Sequence, residues 1–170
     1  MRARIIDGMS ITISALARCA VPVVLALAGS TAPAAAESGT VVPMRSILRA
    51  CDFSPIPDQA STTRGTASAV IHVNGGSVTA EVHLAESGQP GTHYDVSLIQ
   101  IPRASNAPCD VPGPGVAVAG LDSDGAGNAT TTVRDGLRSG TTGVWVFIRR
   151  PGQFSQNPDE FYTSDFPASV

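Results

Sequence analysis

Hydrophobic and polar residues alternate through two neighbouring stretches in the middle of the chain. Apolar side chains recur at every second position over residues 69–73 and again over residues 78–84. This period of two is typical of a β-strand that buries one face. Between the stretches stands Asn74-Gly75-Gly76, and these residue types accept the positive φ angles of a tight turn. The pattern predicts a β-hairpin with one buried face and one solvent-facing face.

The rest of the chain repeats this signal in shorter pieces. Residues 94–98 continue the alternation in a third strand, which Pro102 ends. A second hairpin is predicted around the turn at residues 122–128, and the apolar run 144–148 predicts a strand that is buried on both faces. Beyond residue 36, no stretch sustains a helical period over three turns. The sequence therefore predicts an all-β protein, an antiparallel Ig-like β-sandwich of about seven strands.

The first 36 residues have a different pattern. An uncharged apolar run, residues 19–29, follows three arginines, and Ala34-Ala35-Ala36 offers a small-residue cleavage site before Glu37. These are the features of a secretory signal peptide, with Met9 as an alternative start. The apolar run is about half as long as the roughly 20 residues of a membrane-spanning helix. We therefore expect cleavage and export, to the extracellular space or the cell envelope, with no membrane span afterwards.

Residues 37–170 amount to one domain. Residues 37–50 carry little pattern and are expected to form a tether or an edge strand, and residues 51–170 the single sandwich domain. The part after residue 36 contains eight arginines, thirteen acidic residues and no lysine, which gives a net charge of −5. Nucleic acids and anionic lipids both require a concentrated basic surface. This charge balance argues against either as a partner.

Two cysteines remain once the signal peptide, which contains Cys19, has been removed. Cys51 and Cys109 can form only one disulfide, and an exported chain folds in an oxidising compartment. Closing a loop of this length should stabilise the fold by about 4 kcal/mol. The spacing does not resemble the Cys-x-x-Cys of redox-active pairs, so we expect a structural Cys51–Cys109 disulfide.

The sequence contains few residues that could bind a metal ion. On the predicted hairpin, His72 and His83 lie roughly 20 Å apart, too far for one metal ion. His83 and His93 could approach each other, but they would lack a third ligand. The turn at residues 122–128 looks like a calcium loop, although Val133 stands where an EF-hand needs a bidentate glutamate. We expect an ordinary turn and no cofactor; the weak candidates for calcium are Asp122, Asp124 and Asn128.

Aromatic residues are concentrated near the C-terminus, where six of eight fall in the last 26 positions. In the strand 144–148, Trp145 and Phe147 share one face and the valines the other. The favoured prediction is that the tail from residue 154 onward folds over this face with its aromatic residues, Phe154, Phe161, Tyr162 and Phe166. The alternative is an exposed aromatic patch for a protein or glycan partner. That patch would consist of Trp145, Phe147, Phe161 and Tyr162.

Residues 91–98, Cys109, residues 121–128 and residues 143–147 together resemble a pattern of small exported actinobacterial β-proteins of unknown function. In these proteins a strand ends near a cysteine, and an Asp/Asn/Gly turn precedes a terminal apolar strand. The resemblance spans residues 65–148. It implies the same fold class and compartment and brings no catalytic residues with it.

These observations favour a secreted or cell-envelope-associated, non-catalytic domain that binds an unidentified protein or glycan. No catalytic residue is predicted. The alternative function is a small secreted hydrolase or metal-dependent enzyme that uses His83, His93 and nearby carboxylates.

Overall fold

Nine β-strands make up the regular structure of the described residues, which in this computed structural model are 39–59, 61, 63–153 and 157–170. The strands are β1 (Thr40–Arg45), β2 (Thr66–Asn74), β3 (Ser77–Ala85), β4 (His93–Ile101), β5 (Val116–Asp122), β6 (Asn128–Gly136), β7 (Gly143–Arg150), β8 (Glu160–Ser164) and β9 (Ala168–Ser169). Within these ranges no helix has the length and hydropathy that crossing a bilayer requires. The predicted signal peptide, residues 1–36, and Phe154 lie outside them.

All neighbouring strands pair antiparallel, in the order β5-β4-β7-β8-β1-β2-β3-β6, with β9 beside β7. Residues 40–43 of β1 pair with β2, and Met44 and Arg45 pair with β8. Strand β1 therefore joins the two halves of the sheet. The end strands β5 and β6 follow each other in the chain across a short turn, so the sheet is nearly closed into a barrel. The all-β prediction is confirmed.

The hairpin predicted from the alternation is also present. β2 and β3 pair from Thr66 with Ala85 to Asn74 with Ser77, and Gly75 and Gly76 take φ angles of 55° and 119° in the turn. The apolar residues that face inward from β3 are all buried. The alternation determines the register of the strand, because a shift by one residue would turn these apolar side chains away from the core.

Two local expectations differ from the structure. Residues 37–50 are predicted to form a tether or an edge strand, whereas β1 pairs with β2 over residues 40–43 and with β8 at Met44 and Arg45, so it links the two halves of the sheet. The turn at residues 122–128 does not close a hairpin. Strand β5 forms its ladder with β4 over seven residue pairs, and β6 forms its ladder with β3 over nine. The turn therefore connects the two ends of the sheet.

The hydrophobic core has two parts, one on each face of β7. Val144, Val146 and Ile148 face the interior of the near-barrel, where they pack with apolar residues of most other strands. Trp145 and Phe147 face the opposite way, into a second cluster outside the sheet. This arrangement explains why the sequence of β7 is apolar at every position from 144 to 148.

Candidate binding site beside the disulfide

The second cluster is covered by a compact loop, residues 48–56. Backbone hydrogen bonds close it, from Ala50 N to Ser54 O (2.8 Å) and from Ile56 N to Leu48 O (2.8 Å). Within it, Asp52 Oδ1 accepts hydrogen bonds from the Ser54 hydroxyl (2.6 Å) and from Ser54 N (3.0 Å). These bonds lower the pKa of Asp52 and hold the turn in which Phe53 takes a positive φ of 74°.

The predicted Cys51–Cys109 disulfide is confirmed. Its Cα atoms lie 5.7 Å apart, and the bridge spans 58 residues of the chain. It ties the loop 48–56 to the Pro/Gly-rich loop between β4 and β5. The guanidinium of Arg103 braces that second loop, since it donates to the carbonyl oxygens of Pro108 (2.8 Å) and Pro114 (2.9 Å). The two loops therefore form one cross-linked surface above β7.

Trp145 lies fully buried beneath this surface. The Phe53 ring meets it edge-on with centroids 5.5 Å apart, and the Phe147 ring stacks beside it at 6.2 Å. The cover over Trp145 is thus the loop 48–56, together with Phe161 of β8. The predicted cover by the tail is therefore partly present, because Phe161 contributes to it while Tyr162 lies in the main core and Phe166 is 43% exposed.

The four aromatic residues considered for an exposed patch are all buried: Trp145, Phe147, Phe161 and Tyr162. Phe161 belongs to the second cluster, whereas Tyr162 points from the other side of β8 into the main core. In this structure none of them offers an open aromatic face to a partner. Any recognition in this region has to involve the surface that covers them.

That surface contains a groove of about 280 Å³ beside the disulfide. Leu48 and Phe147 form its buried apolar floor, and Ile56, which is 38% exposed, and Pro108 form part of its rim. Three charged side chains complete the rim, those of Arg49, Asp110 and Arg149. The groove combines an apolar floor with hydrogen-bond donors, the combination typical of specific binding sites.

The two arginines at the groove differ in their partners. Arg149 Nη1 lies 3.0 Å from Asp110 Oδ2, and its Nη2 lies 3.3 Å from Asp95 Oδ2. Arg49 forms no salt bridge with a carboxylate of the described residues. Its guanidinium lies 3.9 Å above the Phe53 ring, and its Nη1 donates to Phe53 O at 3.1 Å. Burial lowers the pKa of Arg49, and the charge of Asp165 opposes this effect.

A polar cluster that sequence reasoning missed lies at one end of the main core. The hydroxyl of Tyr162 lies 2.7 Å from Glu160 Oε1 and 3.3 Å from Glu86 Oε2. Burial, reinforced by Glu160, raises the pKa of both Tyr94 and Tyr162, so both hydroxyls remain donors. A Cβ at Gly65 would come within 2.8 Å of the Tyr162 oxygen, which explains the glycine there. Tyr162 and Glu86 are 76 residues apart, and no local pattern could have paired them.

The histidines are not brought together in a shared site. His93 Nδ1 lies 2.6 Å from Asp122 Oδ1, and its Nε2 lies 3.6 Å from Asp95 Oδ1. His83 faces outward from β3, between Ser68 and Thr130 on the neighbouring strands. In the part of the chain that the structure describes, no group of three or more His, Cys, Asp or Glu side chains could hold a metal ion.

The weak calcium candidates have other partners. Asp122 pairs with His93, as described above, and Asp124 Oδ1 accepts hydrogen bonds from Ala126 N (2.8 Å) and Asn128 N (2.9 Å). The backbone bonds from Asn128 and Ala126 lower the pKa of Asp124. These contacts are those of an aspartate that stabilises a tight turn. The calcium-like sequence at residues 122–128 is therefore explained by the turn that joins β5 to β6.

No protein family model matches the chain, and no curated protein or solved structure matches it.

Proposed function

We propose that this chain is a secreted or cell-envelope-associated, non-catalytic domain that binds an extended peptide segment of a partner protein in the groove beside the disulfide. The observation that carries the proposal is the groove itself, with its apolar floor of Leu48 and Phe147 and its charged rim. A volume of about 280 Å³ is just below the range of small-molecule sites, about 300–1,000 Å³. It suits one or two side chains of a segment that continues beyond the groove.

The choice of a peptide over a glycan rests on the aromatic residues. A sugar ring would stack on an open aromatic face, but Trp145 is buried and only the margin of Phe147 reaches the groove. Prolines and Ile56 at the rim instead offer apolar contacts to side chains of a peptide. The cross-link between the two loops also supports the proposal, since a rigid surface binds with a smaller loss of conformational entropy.

Export and the finer fold class belong to the same proposal. The signal-like pattern of residues 1–36 supports export, and the Cys51–Cys109 disulfide is compatible with it. We further propose that the two halves of the sheet, joined through β1, form an Ig-like sandwich. In that arrangement the groove lies on the outer face of the half that contains β7.

The test selects ligands from a phage-displayed library of random peptides on the oxidised protein. Ala107→Trp places a large side chain in the groove, and Ala104→Trp, an exposed position in the same loop outside the groove, is the matched control. We expect enriched peptides that bind the wild type and A104W equally and bind A107W at least about tenfold more weakly, a loss of 1.4 kcal/mol or more. No enrichment, or peptides that bind A107W as well as A104W, would overturn the proposal.

A further inference from the structure

The orientation of Arg49 is fixed before any partner binds. Its guanidinium stacks on Phe53 at 3.9 Å, Phe53 is packed edge-on against Trp145, and Arg49 Nη1 is anchored on the Phe53 carbonyl oxygen. A planar guanidinium held in this way loses little further rotamer freedom when a ligand arrives. Arg49 is therefore a preformed donor group at the edge of the groove.

Arg49 also lacks the anion that would match its charge. The nearby carboxylate of Asp165 is engaged with Arg45, at 2.8 Å, and Asp110 and Asp95 are engaged with Arg149. A guanidinium can only donate hydrogen bonds, and Arg49 Nε is buried without an acceptor among the described residues. The partial burial that lowers the pKa of Arg49 has removed water from its charged form. An anionic ligand would replace that lost stabilisation.

We propose that the groove recognises a carboxylate at Arg49, next to an apolar side chain that lies on Leu48 and Phe147. This inference rests on the proposed function and names the chemistry of its ligand: a peptide segment in which an aspartate, a glutamate or a C-terminal carboxylate adjoins an apolar residue. Arginine and carboxylate form charge-assisted hydrogen bonds, often in pairs, that fix orientation as well as affinity. The apolar floor then selects the neighbouring side chain.

Two small ligands of similar shape, one charged and one neutral, show how much the charge contributes to binding. The oxidised, ¹⁵N-labelled full chain is titrated with 3-phenylpropionate and with its neutral analogue 3-phenylpropionamide, and the backbone amide signals of Ala107 and Asp110 in the groove are followed by NMR. We expect the acid to shift these signals and the amide to bind at least about tenfold more weakly, the loss expected for charged hydrogen bonds. Binding of the acid should also weaken as salt concentration rises.

Two arginine variants make the test specific. Arg49→Gln should lower the affinity for the acid at least about tenfold, whereas Arg64→Gln, at an exposed position outside the groove, should leave it unchanged. The amide spectrum of each free variant shows that it is folded. Equal binding of acid and amide, equal effects of the two substitutions, or no shift with the acid would overturn the carboxylate inference. None of these results would contradict the proposal that the groove binds a peptide, which is tested separately by the binding of phage-selected peptides to A107W and A104W.

Discussion

The hydroxyl of Tyr162 donates a 2.7 Å hydrogen bond to Oε1 of Glu160, two residues earlier on β8. The other oxygen of Glu160 accepts from the hydroxyl of Tyr94 at 3.1 Å and from Arg150 Nε at 3.3 Å. Glu86 at the end of β3 lies 3.3 Å from the same Tyr162 hydroxyl and accepts hydrogen bonds from two backbone N–H groups. Both carboxyl groups are nearly inaccessible to water, 1% and 3% exposed. The cluster thus joins β3, β4, β7 and β8 at one end of the near-barrel.

Tyr162→Phe should destabilise the fold. The substitution keeps the ring in the core but removes the one hydroxyl that contacts both Glu160 and Glu86. Leaving buried acceptors with fewer donors costs about 1–3 kcal/mol. Urea denaturation followed by far-UV circular dichroism measures this loss. Tyr94→Phe is the matched control, and its effect should be smaller because Glu160 keeps its bonds to Tyr162 and Arg150. Equal effects of the two variants would show that Tyr162 does not hold the cluster together.

Removal of the disulfide should have a larger effect. A Cys51→Ser/Cys109→Ser variant loses a cross-link that closes a 58-residue loop, worth about 4 kcal/mol in the chain-entropy account. The free energy of unfolding of the variant is compared with that of the oxidised wild type. The intact mass of the wild type should rise by two hydrogens on reduction. Two thiols that can be alkylated in the native exported protein would contradict the assignment.

Local patterns in the sequence predicted local structure well. The alternation over residues 69–84 was sufficient for β2, β3 and their turn, because a period of two with a glycine turn has one sensible pairing. The disulfide could be predicted because only Cys51 and Cys109 remain once Cys19 is assigned to the predicted signal peptide. In both cases the information lies within a short stretch or in a simple count.

The arrangement of distant segments could not be predicted in this way. The turn at residues 122–128 has the composition of a hairpin, yet β5 pairs with β4 over seven residue pairs and β6 pairs with β3 over nine. Trp145 is predicted to lie beneath the tail, but besides Phe161 of the tail it is covered by Phe53, which comes from the loop before β2. The groove and Arg49 depend on this same long-range packing. Such contacts are decided by the competition between whole strands and loops for burial.

Phe53→Ala should expose Trp145. The Phe53 ring covers the indole from outside the sheet, and its removal leaves a gap through which water reaches Trp145. Truncation of phenylalanines in cores costs about 3–5 kcal/mol, and we expect about 2 kcal/mol here because Phe53 is only partly buried. Trp145 is the only tryptophan of the chain, so a red shift of its emission reports the exposure directly.

Phe166→Ala is the control for this experiment, because Phe166 is 43% exposed and belongs to the tail that was expected to cover Trp145. It should change neither the emission maximum nor, by more than about 0.5 kcal/mol, the stability, as is usual for surface substitutions. If the emission of Trp145 shifted to the red in F166A but not in F53A, the tail rather than Phe53 would shield Trp145 from water.

His93 should make part of the stability dependent on pH. The hydrogen bond to Asp122 and the negative charges of Asp122 and Asp95 favour the imidazolium and raise the pKa of His93 above its usual value near 6.5, against the smaller effect of burial. A group whose pKa is raised by folding stabilises the fold fully below its unfolded pKa, and this stabilisation is lost as the pH rises through the folded pKa. The window therefore opens near pH 6.5 and extends upward. Because the pair is exposed, the loss should be about 0.2–1 kcal/mol.

Two measurements check this expectation. An NMR titration of the His93 ring protons should give a pKa above 6.5, and Asp122→Asn should lower it. His93→Gln should remove the loss of unfolding free energy between about pH 6 and pH 9, whereas His83→Gln, an exposed histidine on β3 without a salt bridge to the described carboxylates, should keep it. A His93 pKa at or below 6.5 would contradict the ion pair, and an identical pH profile for the two histidine variants would show that it contributes nothing to stability. If the pKa of His93 is raised in the wild type and returns to its usual value in D122N, the ion pair between Asp122 and His93 helps to hold the end of β5, next to the turn that leads to β6, against β4.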